Sequence, residues 1–173
     1  TVTDVAGNYY TDTGGALDET ALPFELTKPV INTNLSKGYF KIQDAINEAE
    51  PGNTIEVMRG VYNGNLEIDV EGLTLKAAEP RKVNIETAVG FDHENGYGGI
   101  TILADDVTID GFVILQAASH AIIHTRDSKN VTISNNSLRN IDLMNKAQRG
   151  VVIGHGSADC NNIKIKGNEF INL

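Results

Sequence analysis

The sequence predicts an all-β fold in which short strands stack as a solenoid behind one short helix. Three observations support this prediction. Four segments in the second half of the chain share one pattern, a turn residue followed by alternating apolar and polar residues. Seventeen glycines in 173 residues, together with many asparagines, are typical of a turn-rich β protein. Helical periodicity is confined to one segment that begins just after Phe40.

That segment is predicted to be a short amphipathic helix. Four apolar residues at i, i+3, i+4 and i+7 form one stripe on an otherwise charged surface: Ile42, Ala45, Ile46 and Ala49. Pro51-Gly52 is expected to end the helix, because proline disfavours α geometry before it and glycine permits the turn. A helix placed ahead of strands is expected to cap one end of the stack, with Ile46 over the first coil.

Alternating residues on either side of a turn follow the helix. Thr54-Ile55-Glu56-Val57 alternates as a half-buried strand does, Arg59 to Gly64 is predicted to turn the chain, and Leu66-Glu67-Ile68 alternates again. Residues 1–38 are less regular and are predicted to form an N-terminal arm or cap, with 39–173 forming the solenoid. Within the arm, Pro29-Val30-Ile31 could be an edge strand; a flexible linker is the alternative.

From Leu73 onward the chain repeats itself. The alternating pattern starts at Leu73, Val107, Val131 and Ile163, at spacings of 34, 24 and 32 residues. A coil of about 24 residues with loops inserted in two turns accounts for these spacings, and one such repeat cannot bury its own apolar face. The repeats therefore predict two interior columns: Leu73, Val107, Val131 and Ile163, and beside them Leu75, Ile109, Ile133 and Ile165.

Polar residues also recur at fixed offsets. Asn136 and Asn168 share a position at a bend, where stacked amides are expected to hydrogen-bond from coil to coil. The residues between the buried positions are expected to face solvent: Thr74, Thr108, Thr132 and Lys164, then Lys76, Asp110, Ser134 and Lys166. Three aligned threonines are too few to indicate an ice-binding face, since threonine is ordinary in strands.

Composition excludes some partners. The formal net charge of −9 disfavours a nucleic-acid partner, because phosphate binding needs a basic face. The single cysteine, Cys160, excludes an internal disulfide framework and is expected to be a small buried thiol. No apolar run approaches the ~20 residues that a membrane span needs.

Three segments resemble a known family. Ile42-Gln43-Asp44-Ala45-Ile46, Pro51-Gly52-Asn53-Thr54-Ile55 and Gly60-Val61-Tyr62 are similar to the N-terminal cap and first coil of right-handed parallel β-helix proteins of the pectin-lyase-like superfamily, with carbohydrate-binding and sugar-hydrolase repeats. The resemblance covers residues 39–173. It implies a right-handed parallel β-helix with a short N-terminal capping helix, a polysaccharide or cell-envelope partner, and an extracellular or cell-surface location. Lyases, hydrolases, esterases, epimerases and surface proteins share this fold, so the activity stays open.

The first inserted loop contains candidate ligand-binding residues. Asp92, His93, Glu94 and Asn95 could coordinate a metal, and Tyr97 could stack on a sugar ring; the plainer interpretation is a solvated turn. No cofactor is evident from the residues, although related lyases hold Ca²⁺ with carboxylates, so the resemblance makes Ca²⁺ the cofactor to consider.

The second inserted loop lies between Arg139 and Gly150. Lys146 and Arg149 in this loop and His155 after it are candidate catalytic residues, and Asp142 is a candidate carbohydrate-binding residue. Together these groups could bind a uronic acid and serve acid–base roles, or they could be ordinary surface groups. His120 and His124, four residues apart in a predicted strand, would lie about 13 Å apart, too far to share a metal.

These observations predict a secreted or cell-envelope parallel β-helix module that contacts carbohydrate or forms part of a surface structure. The alternative is the N-terminal part of a polysaccharide lyase or glycoside hydrolase that acts on acidic polysaccharide, with its active site in later coils. Nothing after Lys166 resembles a cap. We therefore expect either that the β-helix is truncated at its C-terminal end or that another chain covers this end, with self-association through the uncapped coil as one possibility.

Overall fold

A computed structural model of the chain describes residues 2–3, 9–10, 28–87, 99–116, 121–141, 149–154 and 159–173. The described part is mostly β-strand in parallel sheets, with one short helix, which confirms the all-β prediction. Helix α1 spans Ile42–Asn47. The strands are β1 (Val2–Thr3), β2 (Tyr9–Tyr10), β3 (Val30–Asn32), β4 (Lys37–Tyr39), β5 (Thr54–Val57), β6 (Gly60–Asn63), β7 (Leu66–Ile68), β8 (Thr74–Ala77), β9 (Val83–Thr87), β10 (Ile100–Ile102), β11 (Thr108–Asp110), β12 (Val113–Gln116), β13 (Ala121–Thr125), β14 (Thr132–Ser134), β15 (Ser137–Asn140), β16 (Arg149–Ile153), β17 (Lys164–Lys166) and β18 (Glu169–Ile171).

Strands β5 to β18 are shared among three sheets in strict rotation. Sheet I has the order β17-β14-β11-β8-β5-β3-β4, sheet II the order β18-β15-β12-β9-β6, and sheet III the order β16-β13-β10-β7. Three consecutive strands therefore lie in three different sheets, and the next three strands repeat the order. We call these groups units 1 to 5: β5–β7, β8–β10, β11–β13, β14–β16 and β17–β18. Every pairing between successive units is parallel.

The predicted interior columns are confirmed from unit 2 to unit 4, whereas Ile163 in unit 5 is only half-buried. Ile109 pairs in register with Leu75 on one side and with Ile133 on the other, and Ile133 pairs with Ile165. Leu75, Ile109 and Ile133 are completely buried, whereas Ile165 on the outermost strand is 41% exposed. Burying one such side chain stabilises the fold by about 1.5–3 kcal/mol, so the stacked columns are the main apolar core.

The turn that leads into sheet I is left-handed in every unit. The residues with positive φ at this turn are Gly52, Gly72, Asp106, Asn130 and Asn162. Glycine, asparagine and aspartate adopt this conformation at the lowest cost. The N–H groups of the first four donate to backbone carbonyls of the next unit at 2.9 to 3.0 Å. This conformation explains why a small or polar residue precedes each predicted repeat.

A buried asparagine ladder joins units 3, 4 and 5, as predicted. Asn136 is completely buried; its side-chain oxygen accepts the Phe112 N–H at 2.9 Å. Its Nδ2 donates to the Ile109 carbonyl and to Asn168 Oδ1, both at 3.1 Å. Asn168 Nδ2 in turn donates to the Ile133 carbonyl at 2.7 Å. The amides therefore satisfy backbone groups that the bend would otherwise leave buried without partners.

An antiparallel hairpin covers sheet I at its N-terminal end, beyond β5. Strand β3 pairs antiparallel with β5, and β4 pairs antiparallel with β3. Val30–Asn32 is thus a strand, as predicted, but β4 rather than β3 forms the edge of sheet I. The prediction that Arg59 to Gly64 is only a turn is wrong, because Gly60–Asn63 forms β6 and pairs with β9.

Helix α1 lies against the same end. Ile42, Ala45 and Ile46 are buried and pack towards β3, β4, β5 and β7, which confirms the predicted apolar stripe and the position of Ile46. The helix ends at Asn47, earlier than Pro51-Gly52, and half-buried Ala49 packs on the core beyond it. With six residues, α1 is far too short to cross a bilayer, and the described part of the chain contains no longer helix.

Replacing Ile46 by aspartate tests the cap. Ile46→Asp should lower the free energy of unfolding by at least about 3 kcal/mol, because the carboxylate would be forced against apolar surface. Urea unfolding measures the difference. Asn47→Asp changes an exposed position of the same helix and should stay within about 0.5 kcal/mol of wild type. Equal stability of both variants would contradict the packing of α1.

Replacing Asn136 by alanine tests the ladder. Asn136→Ala should cost about 2–4 kcal/mol, because the Phe112 N–H and the Ile109 carbonyl would lose buried partners. Asn84→Ala, at a half-exposed outward position of β9, is the matched control and should be nearly neutral in the same urea titration. A loss below about 0.5 kcal/mol for Asn136→Ala would mean that the ladder contributes little.

Candidate functional site

A surface pocket, which we call the α1 pocket, lies where the start of α1 meets β6 and the turn into β7. It has a volume of about 280 Å³ and is lined by residues 40–43, residues 61–66 and Ile85. Ligand pockets commonly have volumes of roughly 300–1,000 Å³. The α1 pocket is therefore suited to a small group, such as one ring, rather than to a long stretch of polymer.

Two exposed apolar side chains form the rim of the pocket. Phe40 is 54% exposed and Val61 is 57% exposed, the highest values among the exposed large hydrophobic residues of the described part of the chain. Val61 takes an outward position of β6, and Phe40 lies between β4 and α1. Lys28 Nζ is 5.8 Å from the centre of the Phe40 ring. Two such residues in one concavity provide an apolar surface open to solvent.

Amide side chains supply the polar part of the lining. Asn63 and Asn65 are exposed on either side of Gly64, whose N–H donates to the Glu86 carbonyl at 2.9 Å. Gln43 is held in the wall: its Nε2 donates to Asn47 Oδ1 at 2.7 Å, and its Oε1 accepts a backbone N–H at 2.9 Å. The lining therefore contains two exposed amides, Asn63 and Asn65, and the Gln43 amide, which is already hydrogen-bonded within the chain.

Tyr62 closes the wall of the pocket. It takes the inward position of β6, in register with Ile85, and its hydroxyl donates to the Met58 carbonyl at 2.9 Å. Burial raises the pKa of the Tyr62 phenol. The hydroxyl therefore stays protonated at neutral pH, and its hydrogen bond to the Met58 carbonyl fixes the Tyr62 side chain in the lining of the pocket.

A polar cluster holds the strand before Phe40 against the end of α1. Lys37 Nζ donates to the Glu48 carboxylate, and the Tyr39 hydroxyl donates to Glu48 Oε2 at 3.2 Å. The hydrogen bond from Lys37 lowers the pKa of Glu48, and the same bond raises the pKa of Lys37. Phe40 and Lys41 lie between these two anchored segments, so the cluster helps to place the pocket rim.

The outward face of sheet I carries the polar columns that the sequence predicts, although Ser134, which was expected to face solvent, is buried. The first column also contains Thr54, which pairs with Thr74 and which sequence analysis missed. In the second column, Lys76 lies 3.4 Å from Glu56, and the Ser134 hydroxyl donates to Asp110 at 2.6 Å. Groups on adjacent strands are thus paired with each other. Within the described residues, no group of three or more His, Cys, Asp or Glu side chains could hold a metal ion.

Most of the site residues proposed from sequence lie outside the described residues: Asp92, His93, Glu94, Asn95, Tyr97, Asp142, Lys146 and His155. Arg149 is the exception; it is exposed at the start of β16. His124 is buried in β13, while His120 falls outside the described part. Cys160 is half-buried, and its thiol donates to the Thr125 carbonyl at 3.7 Å.

The α1 pocket is not apparent from the sequence. Its residues come from three segments, and Asn63-Gly64-Asn65 has the composition of an ordinary turn. One available signal was Val61, an apolar residue at the outward position of an alternating strand. A second was Phe40, an aromatic residue outside the apolar stripe of the helix.

Comparison with known protein families, with characterised proteins and with solved structures finds no match to this chain. The resemblance to pectin-lyase-like proteins therefore rests on the sequence motifs alone.

Acid titration tests the cluster that holds the rim. The folded-state pKa of Glu48 is lowered, so its stabilising contribution is present above the unfolded pKa and is lost as pH falls through the folded-state value. Between about pH 5 and pH 3, around the usual carboxyl pKa, wild type should lose stability more steeply than Glu48→Gln in urea unfolding. Glu50→Gln, which removes a neighbouring exposed carboxyl, should follow wild type. Parallel curves for Glu48→Gln and wild type would contradict the role of the cluster.

Proposed function

We propose that this chain is a right-handed parallel β-helix module that binds a carbohydrate unit in the α1 pocket. The proposal for the fold is supported by the rotation of consecutive strands through three parallel sheets and by the motifs that resemble pectin-lyase-like proteins. The proposal for the ligand rests on one observation: the two most exposed large apolar side chains of the described chain line the same small pocket as two exposed amides.

The chemistry of a sugar ring suits this combination. A pyranose presents an apolar face of C–H groups and a rim of hydroxyls. Phe40 supplies an aromatic face for the C–H groups, and Val61 extends that surface. An asparagine amide both donates and accepts hydrogen bonds, as a hydroxyl does, so Asn63 and Asn65 match the rim.

The lining favours binding over catalysis. Acid–base catalysis needs a titratable group within hydrogen-bond reach of the reacting atom and with a pKa near the working pH. Within the described residues, the lining has two titratable side chains, Lys41 and Tyr62, and contains no carboxylate and no histidine. The Tyr62 hydroxyl donates to a backbone carbonyl, and burial raises its pKa. Arg149, the described member of the catalytic set proposed from sequence, belongs to unit 4. The pocket is lined instead by residues 40–43, by unit 1 and by Ile85 of unit 2.

Paired phenylalanine substitutions test the binding site. With neutral and acidic oligosaccharides as ligands, Phe40→Ala should weaken binding of the best ligand at least about tenfold, or about 1.4 kcal/mol. Asn63→Ala should weaken it severalfold. Isothermal titration calorimetry measures affinity, and NMR chemical-shift changes should centre on residues 61–66.

The matched control is Phe170→Ala, which removes an aromatic side chain of similar exposure, 48%, from outside the pocket. It should bind as wild type does. Equal losses in both phenylalanine variants, or shifts that avoid the pocket, would contradict the proposal. Release of unsaturated products from the acidic oligosaccharides, followed by ultraviolet absorbance, would favour the lyase alternative instead.

A further inference from the structure

The floor of the α1 pocket is made of residues that belong to the hydrophobic core. Ile42, Leu66 and Ile85 line the pocket, and all three are buried. Ile42 comes from α1, Leu66 from β7 and Ile85 from β9, so the pocket reaches between the helix and the first two units. Half-buried Tyr62 adds an aromatic ring to this part of the lining. A group that enters the pocket therefore meets apolar side chains at its inner end.

The polar side chains of the lining lie at its outer edge. Lys41, Asn63 and Asn65 are exposed, and the Gln43 amide is already hydrogen-bonded within the chain. Gly64, between the two asparagines, has open space where a side chain would begin. None of the buried side chains in the described lining is polar, so a hydroxyl group placed on the floor would lack a side-chain hydrogen-bond partner there.

We propose that the α1 pocket selects a sugar unit with an N-acetyl group and takes the acetyl methyl group at its floor. This inference rests on the proposed function and names the class of sugar. The methyl group is buried against Ile42, Leu66 and Ile85, where removal of apolar area from water is favourable. Ligand sites commonly combine an apolar lining of this kind with a few polar groups that fix orientation.

The amide of an N-acetyl group matches the outer edge of the same pocket. An acetamide group has one N–H donor and one carbonyl acceptor, and an asparagine side chain offers an acceptor and a donor in return. The exposed amides of Asn63 and Asn65 can therefore take up this pair of hydrogen bonds. The sugar ring attached to the acetamide then lies at the rim, where Phe40 supplies an aromatic face for its C–H groups.

The charge of the lining distinguishes an N-acetylated unit from a free amino sugar. Lys41 is the only charged side chain among the described residues that line the pocket. A free amino sugar carries an ammonium group at neutral pH, and in this lining the ammonium group would meet a like charge and no carboxylate partner. Acetylation removes the charge of the amine and supplies the methyl group for the floor.

Three matched methyl glycosides test the proposal: those of N-acetylglucosamine, glucosamine and glucose, with the corresponding galactose series in parallel. In NMR titrations the N-acetyl glycoside of the preferred series should bind at least about tenfold more tightly than the other two, because it alone buries a methyl group and pairs an amide. Phe40→Ala should weaken this binding. Saturation-transfer NMR should show the strongest transfer to the acetyl methyl protons.

Two isoleucine variants separate contact at the floor from a general effect on the fold. Ile85→Val shortens a side chain of the floor and should weaken binding of the N-acetyl glycoside severalfold more than binding of the glucose glycoside. Ile109→Val makes the same change in the buried column of unit 3, outside the lining of the pocket, and should leave both affinities unchanged. Urea unfolding verifies that both variants are folded.

The outcomes distinguish this inference from the proposed function. Equal or tighter binding of the glucose or glucosamine glycoside, still weakened by Phe40→Ala, would overturn the preference for an N-acetyl group and leave the carbohydrate site in place. Equal effects of Ile85→Val and Ile109→Val would overturn the contact of the methyl group with the floor. Binding of no carbohydrate, or binding that Phe40→Ala leaves unchanged, would contradict the proposed function and this inference with it.

Discussion

The backbone register between successive units is the constraint on which the rest of the structure depends. Parallel pairing of Leu75, Ile109, Ile133 and Ile165 aligns side chains of one type, so one register buries the column from Leu75 to Ile133. A shift by one residue would turn each of these side chains to the opposite face, because side chains alternate along a strand. Burial of the columns therefore selects the register, and the register in turn stacks the turns and the asparagine ladder.

The first unit and the last unit differ in what lies beyond their strands. At the first unit, an antiparallel hairpin and a six-residue helix cover the edge of β5 and the adjoining apolar surface. This covering brings Phe40, between hairpin and helix, next to Val61 in β6, and so forms the α1 pocket. At the other end of the described chain, β17 and β18 present free edges with exposed Ile165 and Phe170. The proposed binding surface therefore follows from how the sheets are terminated at the first unit.

Sequence patterns predicted the repeating part well, for a physical reason. Each strand around Ile109 and Ile133 shows the same local pattern: a residue that tolerates positive φ, followed by alternating apolar and polar residues. Because this pattern can be read within a few residues, both the register of the strands and the burial of these side chains could be inferred. Strand β6 was missed because Gly60 and Asn63-Gly64 have turn composition, while its pairing with β9 is a long-range contact. The α1 pocket could not be predicted for the same reason: Phe40, Val61 and Asn65 come together only when hairpin, helix and first unit pack against each other.

The register can be measured most directly through the methyl groups of the interior column. In a sample with labelled isoleucine methyl groups, the account predicts nuclear Overhauser effects between Ile109 and Ile133 and between Ile133 and Ile165, since paired strands lie about 4.8 Å apart. It also predicts slow amide exchange for Thr132, whose N–H donates to the Val107 carbonyl at 2.8 Å. Absence of these effects, with the Ile109 and Ile133 methyl groups in contact with water instead, would contradict the stacked register and everything built on it.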